Sequence, residues 1–335
     1  MDIQRPYLVF LGDAADQAAA KVGYGIVKWR PGWCIGQVRL PDCNANLDLP
    51  DMSLEEGARA GARTLVIGVA NRGGRIAESW RPHIRKAVEL GMDVASGLHH
   101  KLADVPGLGE LAREHGRRLI DVRHATEDYP VAEGIDRPGK RVLTVGTDCS
   151  IGKMFTSLAI EQEMKRRGMK ADFRATGQTG IFIAGGGVPL DAVVADFIAG
   201  AAESLTPAND PDHWDIVEGQ GSLFHLSFSG VSLGLLHGTR PHALVMCHMP
   251  ERAHMRGLPG VPLPGLKHCI AVTEQMAAIV SPGCRVAGIA LNSAALEDRA
   301  ARDLAKKLSD ETGLPAVDAY RHGAGPLVDA LAAAV

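Results

Sequence analysis

The segment RVLTVGTDCSIGKMFTSLAIEQEMKRRG, residues 141–168, constrains the fold of this chain more than any other. An apolar β-run leads to Gly146, a glycine-bounded loop follows to Lys153, and a helix is expected to begin near Gly152. The amides of such a loop and of the first helical turn point inward together. They form a nest for an anion, to which Lys153 adds a positive charge. Five residues separate Gly146 from Gly152, one more than in the usual Walker A loop. A GxxxxxGK string arises readily by chance in a chain with 39 glycines, but one set between a β-run and an amphipathic helix does not. Gly146, Thr147, Asp148, Cys149, Ser150, Ile151, Gly152 and Lys153 are therefore assigned to a phosphate-bearing small molecule. After Lys153 comes Met154, where nucleotide hydrolases carry the Ser or Thr that ligates Mg²⁺. A thioether has little affinity for hard cations, and Thr156 is expected to face elsewhere, so the loop suits phosphate better than Mg-ATP chemistry.

Around this loop the chain alternates short apolar runs with helix-length segments, the pattern of parallel strands with crossover helices. Strands are expected at Tyr7–Leu11, Ile35–Leu40, Thr64–Ala70, Asp93–Ser96 and Arg118–Val122, with a helix at Ser53–Ala60 opened by a Ser53/Glu56 capping box. The polar stretch HATEDYPVAEGIDRPGK, with Pro130, Pro138 and Gly139, reads as an interdomain linker. A boundary near Asp136 gives a Rossmann-like domain over 1–135 and a P-loop domain over 136–335. In the second half strands are expected at Arg141–Val145, Ala171–Ala175, Trp214–Val217, Ala243–Cys247, Arg285–Leu291 and Ala316–Val317, with helices at Leu296–Thr312 and Pro326–Ala334. The fold class is α/β, and the second half forms a doubly wound parallel sheet that binds ligands at the carboxyl ends of its strands.

With 335 residues, two cores are expected. The charge is nearly balanced, 36 Lys plus Arg against 39 Asp plus Glu, without a basic or acidic block, which argues against nucleic acid or an anionic membrane as partner. No stretch approaches a membrane span, and the N-terminus lacks the pattern of a signal peptide. The 6 cysteines form no CxxC pair, as expected of reduced thiols in a cytoplasmic protein. Neither HxxxH nor HExxH occurs, so neither a metal nor a tightly bound cofactor is expected.

Loop GTDCSIGK resembles that of dethiobiotin synthetase, an ATP-dependent ligase, as do the acidic strand end WDIVEGQGS and the segment GIALN, whose Asn292 corresponds by resemblance to the base-recognition strand. Over more of the chain, the order GTDCSIGK, ATGQTGIFIAGGGVPLDAVVADFIAGAAE, DIVEGQGSLFH, SGVSLGLLHG and ALVMCHMP resembles a bacterial and archaeal family long catalogued as a domain of unknown function. The resemblance implies a Rossmann-like domain followed by a P-loop domain. It also implies D-glutamate N-acetyltransferase activity with acetyl-CoA, in amino-acid catabolism. Coenzyme A carries a pyrophosphate and a ribose phosphate, so an anion nest anchors it without phosphoryl transfer.

Within that reading Glu218, flanked by Gly219 and Gly221 at a strand end, is either a general base for the substrate ammonium or a carboxylate that only supports the loop. His225 is preferred over His237 and His248 as a second proton carrier. Arg174, Thr176, Gln178 and Thr179 follow the second strand of the P-loop half and, with Gln220 and Ser222, are assigned to the substrate. Arg174 is the candidate partner for a substrate carboxylate, or else a solvent-facing charge. Cys149 lies inside the nest, where an acetyl-cysteine is compatible with the chemistry and a small residue packed in a tight loop is the simpler account. The paired-glycine turn in VANRGGRIAESW is either a ligand contact or a plain turn. Two rivals remain open: an ATP-dependent ligase or kinase, and a nucleotide sensor without chemistry. A homo-oligomer is expected.

Overall fold

The computed structural model describes residues 2–17, 19–71, 74–124 and 128–335. In chain order its elements are β1 (Tyr7–Gly12), α1 (Lys21–Trp29), β2 (Cys34–Arg39), α2 (Leu54–Arg59), β3 (Thr64–Ile67), α3 (Arg81–Glu89), β4 (Asp93–Ser96), α4 (Leu108–Glu114) and β5 (Leu119–Asp121). The second half adds β6 (Lys140–Gly146), α5 (Lys153–Arg166), β7 (Ala171–Arg174), α6 (Gln178–Ala184), α7 (Ile198–Leu205), β8 (Trp214–Val217), α8 (Ser229–Thr239) and β9 (Ala243–His248). It closes with β10 (His254–Met255), β11 (Leu258–Pro262), α9 (Leu266–Ala278), β12 (Arg285–Leu291), α10 (Asp298–Thr312), β13 (Ala316–Val317), α11 (Ala319–His322) and α12 (Gly325–Ala334). Two compact units result: residues 1–126 with 177–189, and residues 127–176 with 190–335. A cut near Asp136 differs from this division, because the segment holding α6 packs with the first unit. Among the described residues no helix is long and apolar enough to cross a membrane.

In the first unit five parallel strands run in the order β2-β1-β3-β4-β5. β1 is YLVFLG, buried at every position, as a strand covered on both faces requires. The apolar run expected to Ala70 leaves the sheet after Ile67. Gly68 accepts the amide of Gly23 from α1 at 2.9 Å, and a Cβ there would meet Val9 at 2.6 Å. The Ser53/Glu56 capping box is formed at the start of α2.

The second unit holds six parallel strands in the order β13-β12-β9-β6-β8-β7, with an antiparallel hairpin β10-β11 that the sequence reading did not include. Here β6 is central, between β8 and β9; from it the chain crosses to the edge strand β7, returns to β8, and then passes to β9 on the other side. The carboxyl end of β6 is thus the switch point where ligands bind in such sheets. α5 follows it and is buried around most of its first three turns rather than along one stripe, since it packs against β6, β7 and β8 and also against α11 and α12. Residues 128–139 carry no helix or strand, yet they are fastened to the second unit. Glu133 and Ile135 donate their amides to Glu203 at 2.8 and 3.1 Å, and the buried Arg137 donates to the carbonyls of Glu203, Thr206 and Gly238.

Candidate active site

The loop from Gly146 to Lys153 turns by way of Ser150 and Gly152, at φ +50° and +104°, the second a value that side chains rarely adopt. Ile151 is buried beneath it; a Cβ on Gly146 would lie 2.6 Å from Ile151 Cδ1. Thr147 is held through its amide to Cys247 O at 3.1 Å, and its hydroxyl lies 3.1 Å from His248 Nδ1. Lys153 is buried and donates from Nζ to the carbonyl of Asp148 at 2.8 Å. Burial pulls its ammonium below the usual lysine range, so its charge is costly until an anion arrives. Thr156 does turn away: its hydroxyl accepts from Cys247 Sγ at 3.5 Å. Asn292, just past β12, presents its amide to the loop, its Nδ2 lying 3.9 Å from where a Cβ on Gly152 would stand.

Two arginines that sequence reasoning missed complete the loop. Arg252 donates to Asp148 Oδ2 at 2.7 Å and to the carbonyl of Cys149 at 2.6 Å, and Arg256 donates its amide to the same Oδ2 at 2.9 Å. Burial pushes the Asp148 carboxyl up, but these bonds outweigh it and hold the group below the usual carboxylate range. Asp148 Oδ1 is buried with no hydrogen-bond partner among the described residues. The signal that could have found them is position: ERAHMR begins three residues past β9, the strand beside β6.

The segment after β8 closes against the loop. Gly219 donates to Thr144 Oγ1 at 2.9 Å, and Ser222 Oγ donates to the carbonyl of Gly146 at 2.9 Å. Glu218 accepts the amide of Thr176 at 2.9 Å, while the Thr176 hydroxyl donates to the Glu218 carbonyl and accepts from Gln220 Nε2 at 3.0 Å. His225 is buried; its Nε2 lies 3.0 Å from the carbonyl of Arg256, which makes Nε2 the protonated nitrogen and leaves the lone pair on Nδ1, facing the Ser227 amide at 3.2 Å. A ring nitrogen of His225, Cys149 Sγ and a carboxylate oxygen of Asp148 lie within 4.8 Å of one another.

The structure therefore groups the loop residues, Asn292, Thr176, Glu218, Gln220, Ser222 and His225. The other three assigned residues have these neighbours. Arg174 is paired with the buried Asp215 at 2.7 Å on the adjacent strand, so its charge already has a partner. Gln178 and Thr179 lie on α6 in the first unit, where Thr179 packs on Gly25 and Gln178 lies against Gly97. Arg72 and Gly73 of the paired-glycine turn lie outside the described residues.

A Rossmann-like unit followed by a unit with a phosphate loop at the switch point of a parallel sheet defines the class. The domain-of-unknown-function models DUF1611_N, a Rossmann-like domain, and DUF1611_C, a P-loop domain, match residues 39–125 and 130–328, and the chain belongs to this DUF1611 family. It is 56% identical over 331 residues to a D-glutamate N-acetyltransferase of Tritonibacter scottomollicae, covering 99% of both chains. It is 45% identical over 328 residues to a D-glutamate N-acetyltransferase of a Pseudoalteromonas species, covering 98% of this chain and 99% of that one. A crystal structure of a DUF1611 family protein from Anabaena variabilis superposes with a TM-score of 0.86 at 34% identity, over 98% of this chain and all of the other.

Proposed function

We propose that this protein is an N-acetyltransferase that moves an acetyl group from acetyl-CoA to the amino group of D-glutamate. The observation that carries the reading is the loop itself: an anion nest with a buried lysine, followed by Met154, with the next hydroxyl along the helix, Thr156, turned to Cys247. Such a loop suits the phosphates of coenzyme A and lacks the usual ligand for Mg²⁺. The curated relatives carrying that activity in their names span nearly the whole chain and support the choice of acceptor.

In this reading Lys153 swings from the Asp148 carbonyl to a coenzyme phosphate, with the loop amides around it. The acceptor enters as an ammonium and attacks only as a free amine, so a base must take its proton. Glu218 is suited to that role at the strand end, oriented through Thr176. Arg256, exposed beside the loop and without an ion pair among the described residues, replaces Arg174 as the candidate partner for an acceptor carboxylate. A screen for thiol release from acetyl-CoA across D- and L-amino acids in the presence of chelator tests the whole reading. D-glutamate should release thiol and its L-enantiomer should not. Silence with every acidic amino acid, together with nucleotide binding that requires Mg²⁺, would point to the ligase chemistry instead. Glu218→Gln should lower turnover roughly a hundredfold while coenzyme affinity changes little.

A further inference from the structure

We propose that Tyr320, set edge-on to Phe155 beside the phosphate loop, is a shelf for the adenine ring of the coenzyme. The shelf selects free acetyl-CoA over an acetyl thioester borne on the phosphopantetheine arm of a carrier protein. The inference rests on the donor read above and says which form of that donor the site admits.

The two forms share the thioester, the pantetheine arm and a phosphate. Only the free coenzyme adds an adenosine, joined to the pyrophosphate through its ribose. Contacts beyond the phosphate nest are therefore what can tell the two apart.

Such contacts begin within one helical turn of Lys153. Phe155 stands two residues further along α5 and is half-buried, and Tyr320 on α11 meets it with ring centres 5.4 Å apart and planes at 85°. In an edge-to-face pair the edge of one ring meets the face of the other. Whichever ring supplies the edge, Phe155 covers at most one face of Tyr320, and Tyr320 is 44% exposed. A helical turn rises about 5 Å, close to the span of a ribose, so a pyrophosphate in the nest brings its base within reach of this ring.

The turn that carries the ring is fixed before any ligand arrives. Asp318 is buried and caps α11, its Oδ1 accepting the amides of Tyr320 and Arg321 at 3.1 and 3.0 Å. Its Oδ2 accepts the hydroxyl and the amide of Ser293 at 2.6 and 3.1 Å. Arg321 donates to the carbonyls of Ser293 and Leu296 at 2.9 and 2.8 Å. The turn is thereby tied to the segment that follows Asn292, and a shelf ordered beforehand costs little to occupy. That segment also sets a donor beside the loop. Asn292 Oδ1 accepts the amide of Ala294 at 3.3 Å, which leaves Nδ2, on the side of Gly152, to the ligand.

These groups suit a flat, uncharged ring. The charges of Asp318 and Arg321 are taken up inside the turn, which leaves the Tyr320 face and the Asn292 amide to meet the ligand. A purine offers its π-face to the first and a ring nitrogen, as acceptor, to the second. The phosphopantetheine arm of a carrier protein has no such ring and gains nothing here.

The test is a set of calorimetric titrations of the whole chain with coenzyme A, adenosine 3′,5′-bisphosphate and 4′-phosphopantetheine, on the wild type, Tyr320→Ala and Tyr320→Phe. The wild type should bind coenzyme A at least tenfold more tightly than 4′-phosphopantetheine. Tyr320→Ala should weaken coenzyme A and the bisphosphate roughly tenfold and leave 4′-phosphopantetheine within twofold, while Tyr320→Phe keeps wild-type affinity for all three. The ligands differ in phosphate number for every variant alike, so the change on substitution isolates the ring. A Tyr320→Ala variant that binds coenzyme A as the wild type does, or that loses all three ligands to the same degree, overturns the shelf and leaves the proposed function standing. Equal wild-type affinity for coenzyme A and 4′-phosphopantetheine overturns the selection of the free coenzyme. A wild type that binds the bisphosphate through Tyr320 but neither pantetheine ligand supports the purine shelf and overturns the donor. Failure of all three to bind overturns both.

Discussion

At the carboxyl end of β1 the first sheet reaches its own switch point, between β2 and β3, and there the chain fills the space with an apolar side chain. Trp80 is buried, its indole N–H donates to Asp13 at 2.8 Å, its ring meets Phe10 edge-on at 5.7 Å, and Gly12 leaves room for it. At the carboxyl end of β6 the second sheet leaves ionisable groups instead. Asp148, Lys153, Glu218 and His225 are all buried there. Among the described residues Asp93 is the only buried charged side chain of the first unit, and it is held by Arg118 at 2.7 Å. Two sheets wound by one rule differ in where they accept the cost of burying charge. Elsewhere in the second unit buried charges are held by protein partners, Arg137 by carbonyls and Asp215 by Arg174, whereas at the loop a ligand can repay the cost.

Substitutions in the two regions sharpen the contrast. The largest effect is expected at Gly219, where a Cβ would lie 1.8 Å from Thr144 O and 2.8 Å from Lys153 Cδ. Backbone must move, so Gly219→Ala should cost more than about 4 kcal/mol of stability and abolish coenzyme binding. Denaturant melts followed with coenzyme titration measure both. Next, Lys153→Ala should weaken coenzyme A binding about a hundredfold, read by calorimetry, because a buried cation in an anion nest has no substitute nearby. Smaller again is Gly12→Ala: at φ +52° with the Trp80 ring 2.6 Å from the new Cβ, it should cost about 1–3 kcal/mol of stability. Coenzyme affinity should stay within twofold. A large loss of affinity from Gly12→Ala would dissolve the contrast between the two sheets.

The same contrast explains what the sequence made legible. Strands β4, β8, β12 and β13 match their expected bounds, because each is a short run closed by a glycine or a polar residue, Gly97, Glu218, Asn292 and Asp318. The phosphate loop was legible because its chemistry is local, with nest, lysine and helix start consecutive in the chain. Arg252 and Arg256 were not, since their role depends on the chain returning from β9 across the loop. The partner of Arg174 was not legible without the register: Arg174 pairs with Val217 across the strands, which sets its side chain beside Asp215. Gln178 and Thr179 follow a strand of the second sheet, yet α6 packs with the first unit, and nothing in chain order says which sheet a helix will cover.

The smallest effect is one in which the two regions should not differ. Exposed carboxylates hold close partners in both: Asp51 pairs with Arg39 in the first unit, and Asp298 pairs with Arg302 at 2.9 Å and lies 2.8 Å from His322 Nε2 in the second. Bonds from these partners lower both acids, Asp298 from 3.8 to about 2. A carboxylate whose folded pKa is depressed binds fewer protons folded than unfolded. Its contribution is therefore complete above the unfolded value near 3.8 and is lost as pH falls through about 2. Because both groups are exposed and screened, the contribution is small. Asp298→Asn and Asp51→Asn should each lower the thermal midpoint slightly at neutral pH, with the gap to wild type closing as the acid limb is descended. High salt should shrink both gaps alike. A gap at Asp298 that persists at low pH and high salt would mean the residue acts by packing rather than charge, and the two surfaces would then differ after all.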